Sequence, residues 1–282
     1  MGNSLKDRRA PRDRRGHTVK EQMRFNQIAV AFQPIVDVRS RQVWGYEALT
    51  RGTEGELYPE LITGLSDEER KTFDKVASAK AVQAAAKLGL IRNGPKLTLN
   101  VRPTLDAGAA DARFIARVAK HYNIVAASAI LLELTEDAKL TCDEFIQLME
   151  VHRSLGLATG IDDFGSGYSG LNMLATCGAE VVKLDQQLVK GIDRDPKRQI
   201  IVESFTRLCK KLGSMVIGEG VETREEAVML RELGIHLMQG YYFGRAAVGI
   251  PRVLRLGVDE EERERYWTAP FKTGSRPCVY AQ

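Results

Sequence analysis

From residue 96 to residue 241 the chain repeats one pattern: a short apolar run, a polar or glycine break, then a longer amphipathic stretch. The runs 96–101, 129–135, 157–161, 180–185, 214–219 and 235–241 read as strands by length and β-branched content. Ile130-Leu131-Leu132 is apolar at every position, as a parallel strand covered on both faces by helices should be. Between the strands, Thr141-Cys142-Asp143-Glu144 and Thr223-Arg224-Glu225-Glu226 are capping boxes, predicting helices over 142–155 and 224–233. Asp195-Pro196 is an N-cap with proline at the first helical position, opening a helix to Leu212. Further helices are expected over about 111–121 and, briefly, after Gly170.

The first ninety residues differ. Ala29–Asp37 and Gln42–Thr50 flank a turn at Arg39-Ser40, which predicts an antiparallel hairpin. Pro34 inside the first run suits an edge or a barrel mouth. Ser66-Asp67-Glu68-Glu69 opens a long Ala-rich helix to Leu88, and Gly89 ends it. Roughly eight strands spaced by roughly 20–36 residues predict an α/β fold, a TIM-like (β/α)8 barrel. An open doubly wound sheet is the alternative. A final helix is expected after residue 247, and Asp259–Arg265 reads as a solvated helix face. There is no internal repeat.

Charge changes this picture at one end. Residues 1–20 carry seven Lys/Arg against two Asp, while the remaining chain carries 34 basic and 35 acidic residues. Residues 1–22 therefore read as a disordered basic leader, 23–258 as the barrel and 259–282 as a charged extension. The near-neutral body argues against a DNA-binding surface. The leader lacks the apolar stretch of a secretory signal, and no run approaches the roughly 20 apolar residues of a membrane span. Cys142, Cys177, Cys209 and Cys278 show no metal or disulfide spacing, which predicts a reducing, cytoplasmic setting. The four histidines are scattered and read as structural or surface residues.

The candidate chemistry lies at the strand ends: Glu47, Asn100, Glu133 with Glu136, Asp162 with Asp163, Lys183 with Asp185, Glu219 with Glu222, and Gln239. In a barrel these ends converge on one mouth. Any one of them is also an ordinary polar residue meeting water. Adjacent aspartates followed by Phe164-Gly165-Ser166-Gly167 equally fit a solvated turn. Together they set several carboxylates around a single ammonium, and that arrangement needs compensating cations. Oxygen donors without His or Cys favour Mg²⁺ or Mn²⁺, with Ca²⁺ as an inert competitor. Two such ions suit in-line attack on a phosphodiester. No dinucleotide fingerprint or phosphate loop is present.

At these residues the chain resembles the EAL-domain phosphodiesterases, which hydrolyse cyclic di-guanylate. The resemblance spans about residues 27–250. It is carried by Gln33-Pro34-Ile35, Glu47-Ala48-Leu49-Thr50-Arg51, Asn100 and Glu133-Leu134-Thr135-Glu136. It continues in Asp162-Asp163-Phe164-Gly165-Ser166-Gly167-Tyr168-Ser169, Lys183-Leu184-Asp185, Glu219-Gly220-Val221-Glu222-Thr223 and Gln239-Gly240-Tyr241-Tyr242-Phe243-Gly244. It implies a barrel with an antiparallel first strand and two-metal hydrolysis of cyclic di-GMP to linear pGpG. Glu47, Asn100, Glu133 and Asp162 would hold one ion, and Asp162, Asp163 and Glu219 would hold or bracket the second. Lys183 would orient and help activate the attacking water, supported by Glu222 and Gln239. Gln33 and Arg51 would touch the nucleotide. Glu136 would anchor the 164–170 loop, and a homodimer would form through that loop and the helix after it.

Three departures from the family pattern stand out. Val101-Arg102-Pro103 follows Asn100, where a small hydroxyl residue is usual two places on. Ala246 replaces a common proline, and residues 52–70 match poorly. These leave open a catalytically weak domain acting as a cyclic di-GMP receptor. An unrelated alternative, a barrel that stabilises an enolate with Mg²⁺, needs a second base that the strand ends do not supply.

Overall fold

The computed structural model describes residues 26–92, 94–102, 104–124, 129–135, 140–167, 171, 174–175 and 178–258. The expected leader 1–22, extension 259–282, the short helix after Gly170 for the most part, and Glu136 lie outside the described residues. Along the chain the first elements are β1 (Ile28–Asp37), β2 (Gln42–Gly52), α1 (Tyr58–Ile62), α2 (Asp67–Leu88), β3 (Lys96–Asn100) and α3 (Leu105–His121). Then come β4 (Ile130–Thr135), α4 (Cys142–Ser154), β5 (Ala158–Phe164), β6 (Val181–Leu184) and α5 (Gln186–Val189). The last are α6 (Pro196–Leu212), β7 (Met215–Gly218), α7 (Arg224–Glu232), β8 (Leu237–Gln239) and β9 (Ala247–Val248).

The predicted hairpin forms, with Ile28 opposite Gly52 and Asp37 opposite Gln42. β2 to β8 then run parallel in sequence order, and β1 lies antiparallel between β8 and β2. The result is a closed eight-stranded α/β barrel with an antiparallel first strand, not an open sheet. The seam is composite. β8 is short and meets β1 only at Ile35–Asp37, while β9 pairs with Ala31 and Phe32 higher on the same edge.

β9 also corrects an expectation. Residues 249–258 form no helix. Gly249 at φ +91° and Pro251 break regular structure, and the segment instead buries Val253 and Val258 against the barrel. The other capping signals behave as the sequence predicts. Ser66, Thr141 and Thr223 each cap a helix with the glutamate three residues on, and Asp195 caps α6. α3 starts at Leu105, about six residues before its predicted start. Gly108 weakens the helical pattern there, yet it has a packing reason: a Cβ would sit 3.0 Å from Leu148 on α4. α1 is not legible in the sequence; it packs Tyr58, Leu61 and Ile62 on Ile28, Phe73 and Ala77, in a small cluster outside the main core.

Strand periodicity explains where the site sits. Ile35, Leu131, Val181, Ile217 and Leu237 meet inside the barrel as one apolar plug. Residues two further toward the mouth point the same way. They are Gln33 on the reversed strand β1, then Glu133, Lys183, Glu219 and Gln239. The apolar layer is thus the floor on which the polar set stands. No helix among the described residues is long and apolar enough to cross a membrane.

Candidate functional site

Lys183 is the centre of the mouth. Its side chain is 1% exposed, and its Nζ lies 2.7 Å from Glu219, 3.1 Å from Asp162, 3.4 Å from Glu133 and 3.5 Å from Glu47. Burial alone would push this ammonium down, but Asp162, Glu133, Glu219 and Glu47 outweigh it and hold it well above the usual lysine range. Glu133 and Glu219 move the other way. Burial raises both well above the ordinary carboxylate range, and the attraction of Lys183 opposes it only in part. Asp163 is pushed up to about 6, first by burial and then by Asp162 and Asp185.

Asp162 and Asp163 are neighbours on one strand, and simple alternation sends neighbours to opposite faces. The backbone resolves this. Asp163 has φ +54°, a left-handed conformation uncommon for a residue with a side chain, and the β5–β6 register slips between Ile161 and Phe164. Asp163 donates its backbone N–H to Asp162 Oδ1 (3.0 Å), and its carbonyl accepts from Ser166 N–H and Oγ–H. Both carboxylates thereby reach the mouth. Oxygens of Glu47, Glu133 and Asp162 lie within 4.8 Å of one another, and so do those of Asp162, Asp163 and Glu219.

Amides hold the other side. Gln239 Nε2 donates to Glu47 Oε2 (2.6 Å) and to Gln33 Oε1 (3.1 Å), and Gln33 Nε2 donates to the Gly244 carbonyl (3.1 Å). Asn100 Nδ2 donates to Glu47 Oε1 (3.3 Å). A cleft of about 260 Å³ opens above, lined by Gln33, Glu47, Asp163, Glu219, Glu222 and Gln239 among others. Arg51 does not line it; its guanidinium donates to the Thr50 carbonyl (2.9 Å).

Leu49, Gln186 and Tyr241 also line the cleft, although the sequence assigned none of them a role there. Tyr241 is 48% exposed with the Arg245 guanidinium 3.9 Å from its ring centre. Gly240 itself allows the close packing of this rim. A Cβ there would fall 2.0 Å from the Val221 carbonyl oxygen. The loop bearing Glu219 and Glu222 is latched on its far side by Glu226, a buried carboxylate that accepts N–H bonds from Gly191, Glu222 and Thr223.

Known proteins are similar to this chain in sequence, and some in structure. PdeN of Escherichia coli K12, named a probable cyclic di-GMP phosphodiesterase, is 29% identical over 245 residues, covering 83% of this chain and 46% of PdeN. A standalone EAL protein of Vibrio cholerae O395, solved with c-di-GMP bound, is 37% identical with a TM-score of 0.72, covering 78% of this chain and 92% of that one. BlrP1 of Klebsiella pneumoniae, solved as a manganese/cy-diGMP complex, is 32% identical with a TM-score of 0.72, covering 78% of this chain and 56% of BlrP1. The chain thus spans about half the length of its curated relative PdeN. The family model of the EAL domain matches residues 17–246, most of the sequence and the whole of the mouth, and the chain belongs to the EAL domain family.

Proposed function

We propose that this chain hydrolyses cyclic di-GMP to linear pGpG at the mouth around Lys183, with two divalent cations, Mg²⁺ or Mn²⁺, as cofactors. One observation carries the reading. Both carboxylate oxygens of Glu133 are buried with no hydrogen-bond partner, in a site with far more negative charge than positive. Glu47, Glu133, Asp162, Asp163 and Glu219 set five carboxylates against the single ammonium of Lys183. Two divalent cations carry the four charges that balance this set, and hard cations prefer such oxygen donors. Glu47, Asn100, Glu133 and Asp162 would hold one ion, and Asp162, Asp163 and Glu219 the other. When bound, the ions supply Lewis-acid polarisation of the phosphodiester.

The chain's own residues do the rest. Lys183, kept protonated by its neighbours, is a fixed positive pole and hydrogen-bond donor, not a base. It orients the attacking water and favours the negative charge that develops on it. Gln239 fixes Glu47 in register and Gln33 with it, so these side chains are preorganised before substrate arrives. Glu222, at the cleft wall, supports the water structure beside Lys183. Arg51 and Gln33 contact the nucleotide, Arg51 by swinging from the Thr50 carbonyl toward the cleft. Glu136 tethers the 164–170 loop, and a homodimer forms beside it. Leu171, just after the loop and 61% exposed, offers apolar surface for that contact.

Incubation with cyclic di-GMP and Mg²⁺ or Mn²⁺, followed by chromatography, tests the reading. Linear dinucleotide is the expected product. Bound nucleotide with no product would make the chain a receptor, and neither binding nor product would end the proposal. Light scattering of the purified chain tests the dimer.

A further inference from the structure

The two stretches where the chain departs most from the family pattern, 52–70 and Arg102, meet in space. Gly52–Leu57 is a tight turn: Gly52 N–H donates to the Glu56 carbonyl (2.8 Å), and Arg51 bridges Leu57. This turn leads directly into α1. The Tyr58 hydroxyl donates to Asp74 Oδ1 on α2 (2.8 Å) and accepts from Arg70 Nε (3.4 Å). Asp74 in turn forms a long ion pair with Arg102, Nε–Oδ2 at 3.9 Å, without a hydrogen bond to that oxygen. Arg102 is locked as a fork on Asp111 of α3, by Nε–Oδ2 at 2.9 Å and Nη2–Oδ1 at 2.7 Å. The Arg102 side chain is 16% exposed, Asp74 15% and Asp111 6%, so these charges are well withdrawn from water.

The groups facing this network are Arg70, Asp74, Arg102 and Asp111, two cations and two anions. Burial and then Asp74 push the Tyr58 phenol up to about 12, in keeping with an inward-facing hydroxyl. The arm also packs through Tyr58, Leu61 and Ile62. Its apolar contacts belong to the small cluster of Ile28, Phe73 and Ala77. The bidentate fork fixes Arg102 on α3, and the half-buried Tyr58 phenol ties the arm to Asp74; both are more specific than a surface ion pair.

We propose that Tyr58, Asp74 and Arg102 are positioning residues that fasten the 52–62 arm to the end of β3, and thereby fix Arg51 for nucleotide binding. None of the three is a substrate contact. Arg102 stands two residues after Asn100 and the arm begins one residue after Arg51, so the network joins the metal side of the mouth to the nucleotide side. A hydroxyl residue at 102 could not span to both Asp74 and Asp111. The unusual arm and the unusual arginine are therefore one adaptation. The inference rests on the proposed function for its consequence and on the structure alone for the fastening.

Two measurements on the full chain test it. Amide hydrogen exchange compares wild type with Tyr58→Phe and Arg102→Lys, both conservative in size. Exchange over residues 53–62 should rise about tenfold in each, with β4–β7 unchanged. Unchanged arm exchange overturns the fastening, whatever the chain binds. Calorimetric titration with cyclic di-GMP in Ca²⁺ then compares Tyr58→Phe, Arg51→Ala and the double variant. Tyr58→Phe should weaken binding about fivefold, the worth of one hydrogen bond. The double variant should be no weaker than Arg51→Ala, and the Mn²⁺ affinity of Tyr58→Phe should equal wild type. Additive losses, or a loss of metal affinity, would make Tyr58 a general structural residue and refute the link to Arg51. A wild-type chain that binds no cyclic di-GMP sinks the functional reading and the affinity role with it, while arm exchange still decides the fastening by itself.

Discussion

Replacing Lys183 by Met asks how the mouth tolerates its own charge. The change keeps length and removes the cation. In wild type the ammonium has four carboxylate oxygens at 2.7–3.5 Å. At an effective dielectric near 20, each such pair is worth about 5 kcal/mol of gross attraction. Most of that is offset by the cost of burying the charges, so the gross sum is not the effect. Removing one partner of a buried ion pair typically costs about 3–5 kcal/mol. For a barrel of this size that lowers the melting temperature by roughly 10 °C. The loss should be largest in chelator, where nothing else balances the carboxylates. Saturating Mn²⁺ should recover much of it, because binding to the folded state alone stabilises by mass action. It should also shrink as pH falls toward 5, since Glu133 and Glu219 already have raised pKa values and take up protons first. Thermal scans at pH 7.5 and 5, in chelator and in Mn²⁺, measure all four corners. A Lys183→Met chain as stable as wild type in chelator at pH 7.5 would mean the carboxylates are already neutral there, and the charge argument for two cations would fall. The same variant should lose about 10²-fold or more in turnover, as expected for a group acting on the attacking water.

Other outcomes follow from single features. Chelator should abolish hydrolysis and Mg²⁺ or Mn²⁺ restore it, while Ca²⁺ binds without supporting turnover; full activity in chelator would exclude the mechanism. Glu47→Ala removes an oxygen donor and the partner of Gln239 and Asn100 together, so the Mn²⁺ concentration for half-maximal activity should rise at least about tenfold in a metal titration. Gly240→Ala sets a methyl against the Val221 backbone, which cannot yield cheaply; a loss of about 2 kcal/mol or more in urea unfolding is expected, and an unperturbed variant would show that the rim is looser than it looks. His152 is buried with Nδ1 on Thr159 Oγ1 (2.9 Å), and burial pushes its imidazole down to about 4. A lowered folded-state value favours the neutral form, so this stability is full above about pH 6.5 and is lost as pH falls toward 4, by up to about 3 kcal/mol; in His152→Leu that part of the pH slope in urea unfolding should vanish.

Much of the site was legible because strand chemistry is local. Two-residue periodicity carries an apolar plug residue to a polar one on the same face, so Glu133, Lys183, Glu219 and Gln239 could be placed from their own strands. Capping boxes located α2, α4 and α7 for the same reason. What could not be read depends on partners far along the chain. The positive φ that swings Asp163 beside Asp162 is a backbone decision made by the β5–β6 register. The amide relay from Gln239 to Gln33 and Glu47 joins residues about 200 positions apart. β9 is two residues long and takes its strand character entirely from Phe32 and Ala31. Arg51 is the opposite case: its motif promised a place in the cleft, and its side chain instead rests on the neighbouring carbonyl.

The composite seam also bears on how the molecule is made. Of the described strands β1 is made first, yet the edge it turns away from β2 is met by β8 and β9, the last of them to be made. Until about residue 248 is available, the growing chain carries an open sheet with an unpaired terminal edge. Such distant pairing is slow to form, and intermediates of this kind are exposed to association. The mouth is finished by the same event, since Gln239 arrives with β8 and only then fixes Gln33 and Glu47. Closure of the barrel and completion of the site are thus a single late step. A chain interrupted before that seam should be both aggregation-prone and unable to gather its charges around Lys183.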